Sequence, residues 1–408
     1  MNDRRTVKLG DVLAENRPRI AVERETRYPM LGVFGFARGV ILRDEVKGDS
    51  ISARQLYRVA AGQLIYSRLK AFEGAFALVP EHADGRFVTN EFPTFDADIE
   101  VAVPEFISLI LGQPSTWEAF AARITGVGAR RERLRVPDFL ELELELPGVD
   151  EQRAIVRAVE AARQVERTAR AELDSARELL SAAVEREFVD DADRRDPSKG
   201  WRMLELRDVA DVRSGITKGR KTKNPLHVVP FIRAANVQSG YLDLTLIKTI
   251  EVTTAEIERF RLVAGDVLMI EGGNAEHLGR GWIFEGRAEP CLHQNHVFRA
   301  RADRSAIAPE FLAYVITGSS ARRYCHENAK KTTNLASINK TQISGLPVPV
   351  PPLALQREIV ARLNAFRAVL VAAGRAVLRN EQLRVALAQS LLNGTLRAPP
   401  IDDLEKAA

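Results

Sequence analysis

The sequence predicts an α+β protein of two globular domains, each followed by a long helix. The two helices are expected to pair as an antiparallel coiled coil with pseudo-twofold symmetry. Three observations predict this: an ordered internal repeat, two sustained apolar stripes at helical spacing, and opposite net charges on those stripes. The chain has 408 residues and a mass of 45.3 kDa, which is too much for one small core.

The repeat comes first. Leu9-Gly-Asp11-Val12 returns as Leu206-Arg-Asp208-Val209, and Arg58-Val-Ala-Ala-Gly62-Gln-Leu-Ile-Tyr66 as Arg261-Leu-Val-Ala-Gly265-Asp-Val-Leu-Met269. Pro104-Glu-Phe-Ile107 returns as Pro309-Glu-Phe-Leu312, and Glu151-Gln152-Arg153-Ala-Ile155-Val156 as Leu355-Gln356-Arg357-Glu-Ile359-Val360. The matches keep their order at a nearly constant offset of about half the chain, too long for a solenoid and right for a duplicated unit.

Each unit has a globular front and a helical back. The fronts, 1–147 and 197–350, mix short β-rich runs with Gly, Asp and Asn turns, and each has a helix with proline in its first turn, at Pro104 and Pro309. The backs lie in 148–196, with its linker, and 351–397, followed by a tail from 398. Ile155, Val159, Leu173 and Leu180 mark the stripe of the first helix; Ile359, Leu363, Phe366, Leu370 and Val377 mark the second. Spacings of three and four over five heptads are a coiled-coil pattern, giving rods of roughly 55–60 Å. Residues 150–190 carry a net charge of −3 and 351–397 a net charge of +5, so the helices favour each other over self-pairing. Antiparallel pairing sets a globular domain at either end of a spacer.

Composition limits the function classes. The net charge of +4 is compatible with nucleic-acid binding and far too mild to prove it. Two cysteines, Cys291 and Cys325, exclude a disulfide framework and point to a reducing compartment, and no apolar run is long enough to span a membrane, so a cytoplasmic location is expected. There is no Asn-Pro-Pro-Tyr-like tetrapeptide, glycine-rich S-adenosylmethionine loop, nuclease carboxylate–lysine motif or P-loop. No cofactor is expected. Cys291-x-His293-x-x-His296 with Cys325 or His326 raises a zinc reading, but the spacing is not that of a ribbon or finger, and buried cysteines with hydrogen-bonded histidines explain it more simply.

Three runs carry a family resemblance. They are Cys291-Leu-His293-Gln294-Asn295-His296-Val-Phe298, Thr332-Thr333-Asn334-Leu-Ala-Ser-Ile338-Asn339-Lys340, and Leu346-Pro-Val-Pro-Val-Pro-Pro-Leu353-Ala-Leu-Gln356-Arg-Glu-Ile359-Val360. Together they resemble the specificity subunits of type I restriction–modification systems. The first half departs from the pattern, with Leu140-Glu-Leu-Glu-Leu-Glu-Leu-Pro147 before its helix and no close copy of Gln294-Asn295-His296. The resemblance implies a non-catalytic protein with two target-recognition domains. Each reads one half of a bipartite double-stranded DNA site, and the helices set the unread gap. It also implies two methyltransferase (modification) subunits as partners, with helicase-nuclease restriction subunits in the full complex. The alternative is a specificity-subunit-like decoy that occupies methyltransferase subunits without reading DNA.

The candidate DNA contacts divide by chemistry. Residues 197–350 carry a net charge of +7, whereas 1–149 carry −2. Lys218, Arg220, Lys221 and Lys223 on a glycine-flanked run suit phosphate contact, as do Lys330, Lys331 and Lys340 beside Asn334 and Asn339. Base reading needs planar bidentate groups, Arg for guanine and Asn or Gln for adenine. Asn274, His277 and Arg280, on a loop whose glycines could equally cradle phosphate, are the candidates for groove contact, and the resembling run adds Gln294 and Asn295. In the first domain the candidates are Arg68, Lys70 and Asn90; Arg130, Arg131, Arg133 and Arg135 are expected either to face phosphate or the methyltransferase or, equally, to be a solvated helix end.

Overall fold

The structure, a computed structural model, describes residues 4–122, 133–188, 200–217, 225–274, 277–332 and 335–399. The chain mixes helices and strands and divides into two compact units, residues 1–168 with 378–408 and residues 169–377. Among the described residues no helix is long and apolar enough to cross a membrane.

The first unit opens with strand Arg5–Lys8, which pairs antiparallel with Glu143–Leu146. The glutamate–leucine alternation of the sequence becomes a half-buried strand here, with Leu144 and Leu146 inward and Glu143 and Glu145 outward. A one-turn helix, Leu9–Val12, follows, and the Asp11 carboxylate accepts from the Lys8 N–H at 2.9 Å. A four-stranded antiparallel sheet comes next, in the order Leu13–Glu15, Thr94–Ala97, Leu64–Tyr66, Phe76–Leu78. A five-stranded sheet completes the unit: Arg19–Ala21, Gln55–Arg58, Phe87–Val88, Arg27–Val33, Val40–Lys47.

The second unit repeats the scaffold. Strand Arg202–Glu205 pairs antiparallel with Pro347–Val350. Its prolines fit because the pair is only two strands wide and each can face an unpaired edge, while Val348 and Val350 are buried. The one-turn helix Leu206–Val209 carries Asp208, whose carboxylate accepts from the Glu205 N–H at 3.0 Å. The four-stranded antiparallel sheet returns in the same order, Ala210–Ser214, Val297–Ala302, Val267–Ile270, Gly281–Ile283. The remaining sheets differ from those of the first unit. One is a three-stranded sheet of Lys248–Val252, His227–Ile232 and Leu292–His293; the other is a small one of Gly272–Gly273, Ala336–Ser337 and Lys330–Lys331.

The long helices run over Val149–Phe188 and Leu353–Leu392, 40 residues each, with Pro147, Pro351 and Pro352 ahead of them. Each is rooted by one buried glutamine. Gln152 donates from Nε2 to the carbonyls of Val101 (3.0 Å) and Pro147 (2.9 Å), and its Oε1 accepts from the Val103 N–H at 2.8 Å. Gln356 donates to the carbonyls of Ala306 (3.0 Å) and Pro351 (2.8 Å), and accepts from the Ala308 N–H at 2.8 Å. Both side chains are fully buried.

In the first unit Ile155, Ala158, Val159, Ala388 and Leu391 enter the core with Leu9, Phe106 and Leu146. In the second, Val184, Ile359 and Leu363 pack with Leu206, Phe311 and Val348. Val377 is buried, and Leu173, Leu180 and Leu370 are half-buried. Phe366, expected on the stripe, is 41% exposed. Arg367 takes the inward place beside it, its guanidinium 4.4 Å from the Trp282 ring centroid, which turns Phe366 outward.

Replacing Gln356 by Leu leaves the Ala308 N–H and the Ala306 and Pro351 carbonyls without their partner. At about 1–3 kcal/mol for each such buried group, chemical denaturation is expected to show a loss of about 3 kcal/mol or more; a loss under about 1 kcal/mol contradicts the rooting role.

Candidate nucleic-acid interface

In the second unit, backbone hydrogen bonds bring three separate stretches of sequence together. In the small sheet Gly272 pairs with Ser337 and Gly273 with Ala336, while Lys330 and Lys331 pair with the same two residues from the other side. The loop bearing Asn274, His277 and Arg280 therefore leaves one edge of the sheet whose other edge is Lys330–Lys331. Glu271, just before it, donates its N–H to His296 O (3.0 Å) and accepts from the Ile338 N–H (2.8 Å). The Glu271 carboxylate also bonds His296 Nδ1 at 2.8 Å. Gln294 and Asn295 are tied in through Gln294 N–H to Ile232 O (2.8 Å) and Asn295 N–H to Ile216 O (3.0 Å).

Side-chain exposure sorts these residues. Asn274, His277, His296, Lys330, Lys331, Asn339 and Lys340 are exposed; Gln294, Asn295 and Arg280 are half-buried. Among the described residues no carboxylate forms an ion pair with Lys330, Lys331 or Lys340, so their charge is available to an anion. Asn339 is held in a capping role. Its Oδ1 accepts from the Gln342 N–H, and Gln342 Oε1 accepts from the Asn339 N–H, both at 2.9 Å, which closes the start of helix Lys340–Ser344. Arg280 lies lower than a loop-tip reader. Its Nη2 reaches Ala234 O at 3.5 Å, its Nε is buried without a partner among the described residues, and burial holds its pKa below the usual guanidinium value. Gly279, at φ +71°, is required here, because a Cβ would come within 2.5 Å of Cys325 Sγ. Lys218, Arg220, Lys221, Lys223 and Asn334 lie outside the described residues, as do Arg130 and Arg131.

In the first unit most of the candidate cations already have partners. Arg68, half-buried, donates its N–H to Glu91 O and accepts from the Leu134 N–H, both at 2.9 Å, which joins segments 67–70, 90–91 and 133–134. Lys70 is paired with Glu73 at 2.8 Å, Arg133 with Glu91 at 3.2 Å and Arg135 with Asp138 at 2.7 Å. Asn90 accepts from Arg17 through Oδ1 at 3.0 Å, and Arg17 lies 4.1 Å from the Tyr57 ring centroid. Sequence reasoning singles out neither Arg17 nor Glu271. The only signals are a cation beside Pro18 and a carboxylate closing the strand Val267–Ile270, and neither names its partner.

Of the residues in the zinc reading, both cysteines and His293 are buried, and His296 is held by Glu271. The Cys291 and Cys325 thiols are buried and pushed up to about 12. His293 donates from Nδ1 to Val297 O at 2.8 Å, and burial pulls its imidazole down to about 4. Among the described residues no group of three His, Cys, Asp or Glu is arranged to hold a metal ion.

His293 therefore folds in its neutral form, and its contribution to stability is present above its unfolded pKa of about 6.5. That contribution is lost as pH falls from there toward its folded value of about 4. Between pH 7 and 5 this group is expected to remove about 2 kcal/mol from the second unit. His293→Asn keeps a donor to Val297 O without the titration and should flatten that part of the profile; parallel profiles for the two proteins contradict the assignment.

Residues 198–376 match the family described as the type I restriction modification DNA specificity domain. The chain is similar to a protein named as the putative type I restriction enzyme MjaX specificity subunit of Methanocaldococcus jannaschii, 30% identical over 168 residues, 41% of this chain and 39% of that protein. It is also similar to the type I restriction enzyme EcoKI specificity subunit of Escherichia coli K12, 27% identical over 158 residues, 38% of this chain and 33% of that protein. The matches thus span about two fifths or less of the length of these curated relatives. A chain from a solved structure of a type I restriction–modification system shares the fold with a TM-score of 0.64 at 21% identity, covering 96% of this chain and 98% of that one.

Proposed function

Starting from the membership of residues 198–376 in the type I restriction modification DNA specificity domain family, we propose that the chain is the non-catalytic DNA-specificity subunit of such a system. One half of a bipartite double-stranded site is read by each globular domain. The subunit also scaffolds two methyltransferase subunits, and restriction subunits join the full complex in the cytoplasm. Methylation and cleavage are the work of those partners.

The observation that carries this reading is the convergence of 271–274, 277–280, 294–296, 330–332 and 335–340 in the family-matching half. Amides, exposed histidines and lysines with no ion pair among the described residues are brought together by one small sheet and the Glu271 bond to His296. Lysines there suit the phosphate backbone; Asn274, Gln294 and Asn295 suit adenine edges.

An antiparallel coiled coil of the two long helices is part of the proposal and draws support from two ion pairs. Glu166 meets Arg384 at 2.7 Å, and Glu187 takes a two-bond grip from Arg362 at 3.1 Å each. The later acid on the first helix meets the earlier arginine on the second, which is the antiparallel order. In both pairs the acid belongs to the first helix and the cation to the second, as their net charges favour. The paired helices set the number of unread base pairs.

The test is to map methylated sites produced by the complex with its methyltransferase subunits. Asn274→Ala with His277→Ala is expected to relax bases in one half of the site only. Equal loss on all sequences makes these residues backbone contacts. Removing one heptad from both helices is expected to change or abolish the gap, and an unchanged gap contradicts the ruler. A wild-type complex that assembles and shows no sequence-specific DNA binding supports the decoy reading instead.

A further inference from the structure

The tip of the hairpin between strands Arg27–Val33 and Val40–Lys47 is built against its own backbone preferences. Phe36 and Ala37 are consecutive non-glycine residues with positive φ, +60° and +49°, although Gly35 and Gly39 flank them. Left-handed backbone at two such residues persists only where the surroundings enforce it. Here they do: the Phe36 N–H donates to Glu73 O at 2.7 Å, the Ala37 N–H to Gly74 O at 2.8 Å, and the Phe34 N–H closes the tip onto Gly39 O at 2.9 Å. Gly74 must be glycine, since a Cβ there would lie 2.3 Å from the Trp117 ring, which meets the Phe36 ring edge-on at 6.0 Å.

The outcome of this enforced geometry is an aromatic ring held out in water. Phe36 is 60% exposed and Phe34 is 39% exposed. The Arg38 guanidinium lies 5.2 Å from the Phe34 ring centroid and 5.9 Å from that of Phe36, and its Nε donates to Gly35 O at 3.1 Å. A fixed apolar ring beside a fixed cation has the chemistry to unstack a base step while neutralising the adjoining phosphate. The loop that anchors the tip, 67–74, also carries Arg68 and Lys70.

We infer that the Phe34–Arg38 tip is a DNA-contact element of the first domain, with Phe36 as a wedge stacking against a base and Arg38 on the neighbouring backbone. This rests on the proposed DNA-reading function and deepens it. It also gives a domain of net charge −2, whose Lys70 and Arg133 are already paired with glutamates, a means of gripping DNA that depends on stacking more than on charge.

The test uses the full chain with its methyltransferase subunits and a duplex carrying the mapped site, with 2-aminopurine placed at successive steps of one half-site and then the other. Binding of the wild-type complex is expected to raise fluorescence at a step in one half-site. Phe36→Ala should abolish the rise and weaken binding about tenfold, the loss of one stacked base. Phe36→Gly suits the positive φ, so it should melt at or above the wild-type temperature and yet bind DNA as weakly as Phe36→Ala, which separates contact from folding. Site-specific binding by wild type with no fluorescence rise, or with Phe36→Ala indistinguishable from it, overturns the wedge. Loss of complex assembly instead of DNA affinity overturns it in favour of a protein-facing tip. Absence of site-specific binding by the wild-type complex fails the underlying DNA-reading function.

Discussion

A single buried amide roots each long helix of this molecule, and the rest of the architecture follows from it. Gln152 and Gln356 each bind three backbone groups: a carbonyl at the helix entrance, and a carbonyl and an N–H just before the helices that begin at Pro104 and Pro309. A glutamine suits this place because one planar group supplies both donors and an acceptor without bringing a charge into the core. The apolar contacts of Ile155 and Val159, and of Ile359 and Leu363, then fill in around a helix whose start is already fixed. A hydrophobic residue in either place would pack, but it would leave buried polar groups without partners.

Around the shared scaffold, the two units use their residues differently. The strand pair, the one-turn helix and the four-stranded sheet are duplicated in order and register direction. The added sheets are not. The second unit uses its small sheet to gather amides and lysines, whereas the first has a five-stranded sheet with a tip of aromatic rings and an arginine. Such division suits a duplicated unit whose common part fixes the helix and whose other part is free to vary.

Much of the scaffold is legible in the sequence because it rests on local rules. The prolines opening helices, the apolar periods of the helices and the alternation of the strand Glu143–Leu146 all depend on residues close in sequence. The repeat even contains both glutamines, but their role is hidden, because it depends on segments about fifty residues away. Phe366 departs from its expected place for a related reason: spacing alone cannot register that Trp282 draws Arg367 inward. Asn339 stands in the sequence among candidate DNA contacts of the stretch 330–340, and its bonds with Gln342 make it a helix cap. Phe36 gives no signal at all, since exposed rings and positive φ are properties of the folded tip.

The proposed function divides recognition between two duplicated halves and leaves catalysis to partners. Genome-wide mapping of methylated adenines in cells that carry this chain with its methyltransferase, set against cells from which only this chain is deleted, tests it most directly. The expected result is a motif of two defined parts separated by a gap of constant length, lost entirely on deletion. A single uninterrupted motif, or a pattern unchanged by the deletion, would contradict it.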